Sequence, residues 1–178
     1  SATCVVESGW TCSGATSTCT TTCGDGVSAG SETCDQGGGN VAPGDGCSAA
    51  CAVESGWTCS GATSTCATTC GDGVIAGSET CDQGGGNVAP GDGCSASCTI
   101  ESGWTCGGTP STCVTSYGDG VIAGAETCDE GGGNVSNGDG CSATCAVEPG
   151  YTCTGTPSVC AAGCGDGIRA GAETCDDG

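Results

Sequence analysis

No stretch of this chain carries apolar residues at helical spacing, and glycine interrupts every segment. The pattern therefore predicts a protein with essentially no helix. Short extended pieces such as CVVESGWTC at 4–12 and CAVESGWTC at 51–59, bounded by Gly and Thr, read as strand arms of small hairpins. Between them GDG and GGGN predict turns, because glycine reaches positive φ at least steric cost.

The same pattern returns every 47 residues: Cys4, Cys51, Cys98 and Cys145 hold one slot, and Cys34, Cys81, Cys128 and Cys175 another. Six cysteine slots recur per period. The first two copies share ESGWTCSGATSTC and GSETCDQGGGNVAPGDGCSA without a change. The chain parses into a partial repeat at 1–22, repeats at 23–69, 70–116 and 117–163, and a partial repeat at 164–178. The repeats abut without a Pro-rich or Ser-rich spacer, which predicts a continuous rod. In the third repeat Tyr117 stands where Cys23, Cys70 and Cys164 stand in the others.

Composition makes disulfides necessary. The 178 residues include 38 Gly and no Leu, Phe or Met, too little apolar surface to offset the entropy of ordering the chain. The 22 Cys are the covalent remedy, at about 2–4 kcal/mol per bond. Such usage persists in an oxidising compartment, so the expected location is extracellular or on the cell surface. The expected fold is small disulfide-rich repeats, mostly loops and turns with short β-hairpins, stacked as an elongated rod. Trp10, Trp57, Trp104 and Tyr151 recur at one position and read as rings packed on a disulfide.

Net charge is −20 with Arg169 the one basic residue, which argues against nucleic acid or an anionic membrane as partner. No apolar run is long enough for membrane insertion. Nineteen of the 21 acids occupy shared slots; Glu130 and Asp177 are the exceptions. Four acids fall within each complete loop of about 25 residues, where unpaired carboxylates repel. A calcium ion, bound by six to eight oxygens, would remove that repulsion. The candidate ligands are Asp25, Glu32, Asp35, Asn40 and Asp45; Asp72, Glu79, Asp82, Asn87 and Asp92; Asp119, Glu126, Asp129, Asn134 and Asp139; and Asp166, Glu173 and Asp176. Glu7, Glu54, Glu101 and Glu148 fill a further acidic slot outside that set.

Local disulfides are expected from Cys12 to Cys19, Cys59 to Cys66, Cys106 to Cys113 and Cys153 to Cys160, each pair separated by six residues that include Gly or Pro. Interleaved bonds are expected for the rest: Cys23 to Cys47, Cys34 to Cys51, Cys70 to Cys94, Cys81 to Cys98 and Cys128 to Cys145. That leaves Cys4, Cys141, Cys164 and Cys175 as candidates for bonds between subunits, with Cys175 of one molecule joined to Cys4 of the next.

CGDGVIAGSETCD, then GDGCSASC, then ESGWTC resembles the cysteine-rich repeat of secreted proteins from Myxococcus and other bacteria. The resemblance covers the whole chain and implies an extracellular disulfide module; Gln36, Gln83 and Tyr117 depart from the family pattern. A weaker similarity runs to the Notch-type repeat and implies a calcium site in the acidic loop.

With no His, no Lys and one Arg, the nucleophile–base pairs and oxyanion clamps of common enzymes are missing, so catalysis is not expected. A thiolate metal store is disfavoured by the lack of any CxC or CxxC pair. The expected function is a structural subunit of an extracellular fibre, associating head to tail and stabilised by calcium. The alternatives are a stalk or adhesive module and a secreted binding or inhibitory protein. Glycans are a candidate partner through the Asn134-Val135-Ser136 sequon and the many Ser and Thr.

Overall fold

The computed structural model describes residues 5–38, 42–85, 90–132 and 136–178. The described residues contain no helix, and so none among them is long and apolar enough to cross a membrane. The chain divides into two compact units, Ser1–Gly86 and Asn87–Gly178.

The first unit contains two antiparallel hairpins, β1 (Trp10–Ser13) with β2 (Thr18–Thr21), and β3 (Trp57–Ser60) with β4 (Thr65–Thr68). The second contains β5 (Trp104–Gly107) with β6 (Thr112–Thr115), and β7 (Tyr151–Thr154) with β8 (Val159–Ala162). The strands are shorter than the extended runs in the sequence suggested. Val5 to Gly9 stay outside β1 because the chain turns first, Trp10 N–H donating to Glu7 O at 3.2 Å.

Each hairpin carries its disulfide at a directly opposed pair, Cys12↔Cys19, Cys59↔Cys66, Cys106↔Cys113 and Cys153↔Cys160, as its spacing predicted. Their Cα atoms lie 4.0–4.1 Å apart, at the close end for antiparallel partners. Hydroxyls tie off the strand ends, with Thr11 Oγ1 2.9 Å from Thr22 Oγ1 and Thr58 Oγ1 2.8 Å from Thr69 Oγ1.

The remaining bonds correct the interleaved expectation. Cys23 joins Cys51 and Cys34 joins Cys47, a nested arrangement, and in the second unit Cys128 joins Cys141. Cys70, Cys81, Cys94 and Cys98 are also disulfide-bonded. The cause lies in the tight CSAAC turn. Cys51 N–H donates to Ser48 O at 2.8 Å with Cys51 at φ 53°, and Cys51 O accepts from Thr33 at 2.9 Å and Cys34 at 3.4 Å. That reversal sends Cys51 across to Cys23 and leaves Cys47 to Cys34. Among the described residues the chain thus holds nine disulfides in tandem repeats.

Sulfur and carboxylate, rather than hydrocarbon, make the core. Cys34, Cys47, Cys81, Cys94, Cys128 and Cys141 are fully buried, and so are Asp35, Asp82 and Asp129.

Candidate functional site

Each acidic loop is organised by one buried aspartate. Asp35 Oδ2 accepts from Gly24 N–H at 2.7 Å and Asp25 N–H at 3.2 Å, while Oδ1 accepts from Gly26 at 3.0 Å and Gly37 at 2.7 Å. The positive φ of Gly24, Gly26 and Gly37 turns these amides inward. The next hairpin completes the cradle: Asp35 N–H donates to Ser64 Oγ at 2.9 Å, and Asp35 O accepts from Ser64 N–H at 2.6 Å. Asp82 repeats the pattern with Gly71, Gly73 and Gly84, and Asp129 with Gly118, Gly120, Gly131 and Ser158. Asp176 accepts from Gly165, Gly167 and Gly178, although it is only half-buried.

Electrostatics follow from this geometry. Burial alone would raise the pKa of Asp35, Asp82 and Asp129, but the converging N–H groups outweigh it and hold all three below the usual carboxylate range. Asp176 is lowered by the Gly178, Gly167 and Gly165 amides.

The other acids staple turns. Asp25, Asp72, Asp119 and Asp166 each accept the N–H two residues on, at 2.8–2.9 Å. Asp45 and Asp92 do so more loosely towards Cys47 and Cys94, at 3.2 and 3.3 Å. Glu32, Glu79, Glu126 and Glu173 use Oε2 to accept from Ala29, Ala76, Ala123 and Ala170. In all four the other oxygen, Oε1, is buried without a hydrogen-bond partner.

A second set of glutamates, outside the predicted ligands, locks a loop to the hairpin that follows it. Glu54 Oε2 accepts from Gly44 N–H at 2.8 Å and Gly46 N–H at 3.0 Å; Glu101 does the same with Gly91 and Gly93, and Glu148 with Gly138 and Gly140. Gly46 has no room for a side chain: a Cβ there would stand 2.5 Å from Cys66 Cβ and 2.8 Å from Trp57 Cε3. At the far edge of the ring Gly77 is equally tight, a Cβ meeting Trp57 Cη2 at 3.1 Å. The ring is therefore sandwiched between glycines of two loops beside the hairpin disulfide.

These positions constrain the calcium expectation. Calcium takes six to eight oxygens, and most carboxylate oxygens here already accept backbone amides. The buried oxygens left over are the Oε1 atoms of Glu32, Glu79, Glu126 and Glu173. Asn40, Asn87 and Asn134 lie outside the described residues, as does Cys4. Asp139 is close enough to Glu130 to help raise its pKa, after burial and ahead of Glu148 and Asp129.

The cysteine left out of a disulfide by Tyr117 is Cys145, not Cys141. Cys141 is bonded to Cys128, while Cys145 keeps its thiol and donates S–H to Asp129 Oδ2 at 3.5 Å. Burial, assisted by Asp129, pushes this thiol up to about 11. The backbone is unmoved: Cys145 keeps φ 53° and its N–H···Ser142 O bond of 2.9 Å, as at Cys51. Tyr117 itself points outward, 54% exposed. Cys164 and Cys175 are exposed thiols.

Four helix-free hairpins, each pinned by a disulfide and joined by loops wound on a buried aspartate, define a cysteine-rich tandem-repeat module. The chain belongs to the family described as Domain of unknown function (DUF4215), which matches it twice, at residues 3–52 and 50–99. No curated protein and no solved structure matches it.

Proposed function

We propose that the chain is an extracellular structural protein, the subunit of a surface fibre in which repeats lock one onto the next. The supporting observation is the recurrent lock itself: a Gly-Asp-Gly loop donates two amides to the following glutamate and lays its second glycine on the following ring. Glu7 and Trp10 occupy the receiving slots of this lock, and with Val5, Val6, Cys12 and Cys19 they line a recess of about 420 Å³. Cys164 and Cys175 are exposed beside the Asp176 cradle. In this reading another repeat of the same kind covers both places, head to tail. Electron microscopy of the native material, with non-reducing denaturing electrophoresis, tests it. Filaments and a reductant-sensitive ladder are expected; a monomer band without reductant, and no filaments, would overturn it.

Calcium enters this reading through the four unpartnered Oε1 atoms. A cation bound only to the native state raises its stability by mass action. Chelator should therefore lower the melting temperature, and identical melts in chelator and millimolar calcium remove calcium from the proposal.

A further inference from the structure

The third repeat has lost a covalent staple without losing its shape. Glu126 Oε1 is buried without a hydrogen-bond partner in a residue only 8% exposed. One ligand atom each from Glu126, Asp129 and Cys145 lies within 4.8 Å of the others. In the first repeat the corresponding Glu32, Asp35 and Cys51 also converge, but Cys51 is consumed by its bond to Cys23, and a disulfide sulfur is a poor ligand. Only where Tyr117 replaces cysteine does the cluster, among these two, offer a thiol.

We propose that Cys145, Asp129 and Glu126 form a binding site for a thiophilic divalent cation of the zinc class, which replaces the missing disulfide of the third repeat. The distances suit it. Tetrahedral zinc with Zn–S of about 2.3 Å and Zn–O of about 2.1 Å sets sulfur and oxygen about 3.6 Å apart. Cys145 Sγ and Asp129 Oδ2 are 3.5 Å apart. The cation takes the place of the proton in the S–H···O bond: the S–H bond breaks, a sulfur–metal bond forms, and the proton leaves to buffer. It gives the Glu126 carboxylate, whose Oε1 lacks a partner, a bond, and it neutralises charge where two carboxylates meet the thiolate that binding creates. Calcium is the wrong class for this site, because a thiolate is a soft ligand.

The test uses the full chain with Cys4, Cys164 and Cys175 replaced by Ser, so that Cys145 is the one thiol left. Cadmium is titrated while the ultraviolet sulfur-to-cadmium charge-transfer band is followed, and zinc is then added in competition. A single saturating equivalent that zinc displaces is expected. Cys145→Ser should abolish the band, and Glu126→Gln should weaken binding about tenfold or more. Tyr117→Cys, which restores the bonding partner of Cys145 and cannot harm the fold through a lost contact in the core, should also abolish it. Absence of the band in the parent chain, or a band that survives Cys145→Ser or Tyr117→Cys, would overturn the proposal.

Discussion

A buried carboxylate in this protein does the work that a hydrophobic side chain does elsewhere: it gathers backbone. Asp35 collects four amides from residues 24–37 and is clamped by Ser64. Replacing it with Ala strands those donors, and unsatisfied buried groups cost about 1–3 kcal/mol each. We expect Asp35→Ala to lower unfolding stability by about 3 kcal/mol or more, read from the denaturant midpoint. The pH dependence has a definite sign. Asp35, Asp82 and Asp129 have depressed native pKa values, so their contribution is complete above the unfolded value of about 3.9 and is lost as pH falls through the native one. Through these three groups thermal melts should show no fall from neutral down to about pH 5 and should fall only in stronger acid; a decline beginning near neutrality would contradict this. Glu130 has the opposite sign. It occupies the slot of Gln36, whose Nε2 donates to Asp45 O at 3.0 Å, and its pKa is raised by burial, then Asp139, Glu148 and Asp129. Its contribution is present below the usual glutamate range and is lost as pH rises through the raised value. Glu130→Gln restores a donor and should stabilise the protein at neutral pH by about 1 kcal/mol, with the gain shrinking in acid.

At the scale of elements, the hairpins were legible and the loops less so. Two cysteines with six residues between them, around a Gly- or Pro-containing turn, have one compact solution, and the strands formed as read, though shortened because Glu7 and its equivalents turn the chain ahead of the ring. The acidic loop is readable as pinned and Gly-rich, and the repulsion of its like charges points the reading to a cation before it points to the backbone. The signal for a backbone role was present in the Asp-Gly-Val and Asp-Gly-Cys steps, where an aspartate can accept the amide two residues on. What the pattern could not convey is that Asp35, Asp82 and Asp129 lie inside, because burial of a charge depends on where several distant amides point. The glutamate lock was missed for the same reason: Glu54 meets Gly44 and Gly46 only once the CSAAC turn has folded. That lock is sharply testable. Gly46→Ala adds a Cβ against Cys66 and Trp57 at φ +103°, combining overpacking of about 1–3 kcal/mol with a left-handed-region penalty of about 1–2 kcal/mol. Gly44→Ala meets nothing within 4 Å at a similar φ of +97° and should show the backbone penalty alone. Equal midpoints for the two variants would mean that the loop does not seat on the ring.

For the molecule as a whole, the consequential difference between sequence and structure is connectivity. Four cysteines allow three pairings, and spacing could not choose between interleaved and nested ones; the αL turn at Cys51 does. The choice changes which atoms join one repeat to the next. The outer bond of the nest runs from Cys23 to Cys51 over 28 residues, and the inner bond from Cys34 to Cys47 over 13. Cys164 is the counterpart of Cys23, and Cys4 is the counterpart of Cys51. In the proposed fibre the covalent joint therefore runs from Cys164 of one subunit to Cys4 of the next, in place of the Cys175–Cys4 bond that interleaving implied. Cys175 instead corresponds to Cys34, whose partner slot is that of Cys47. Non-reducing electrophoresis of two single variants separates the schemes, because neither Cys164 nor Cys175 supports a disulfide within the chain. Cys164→Ser should erase the ladder of multimers, while Cys175→Ser should leave it standing. The reverse result would mean that the joint between subunits does not copy the nested bond found inside each repeat.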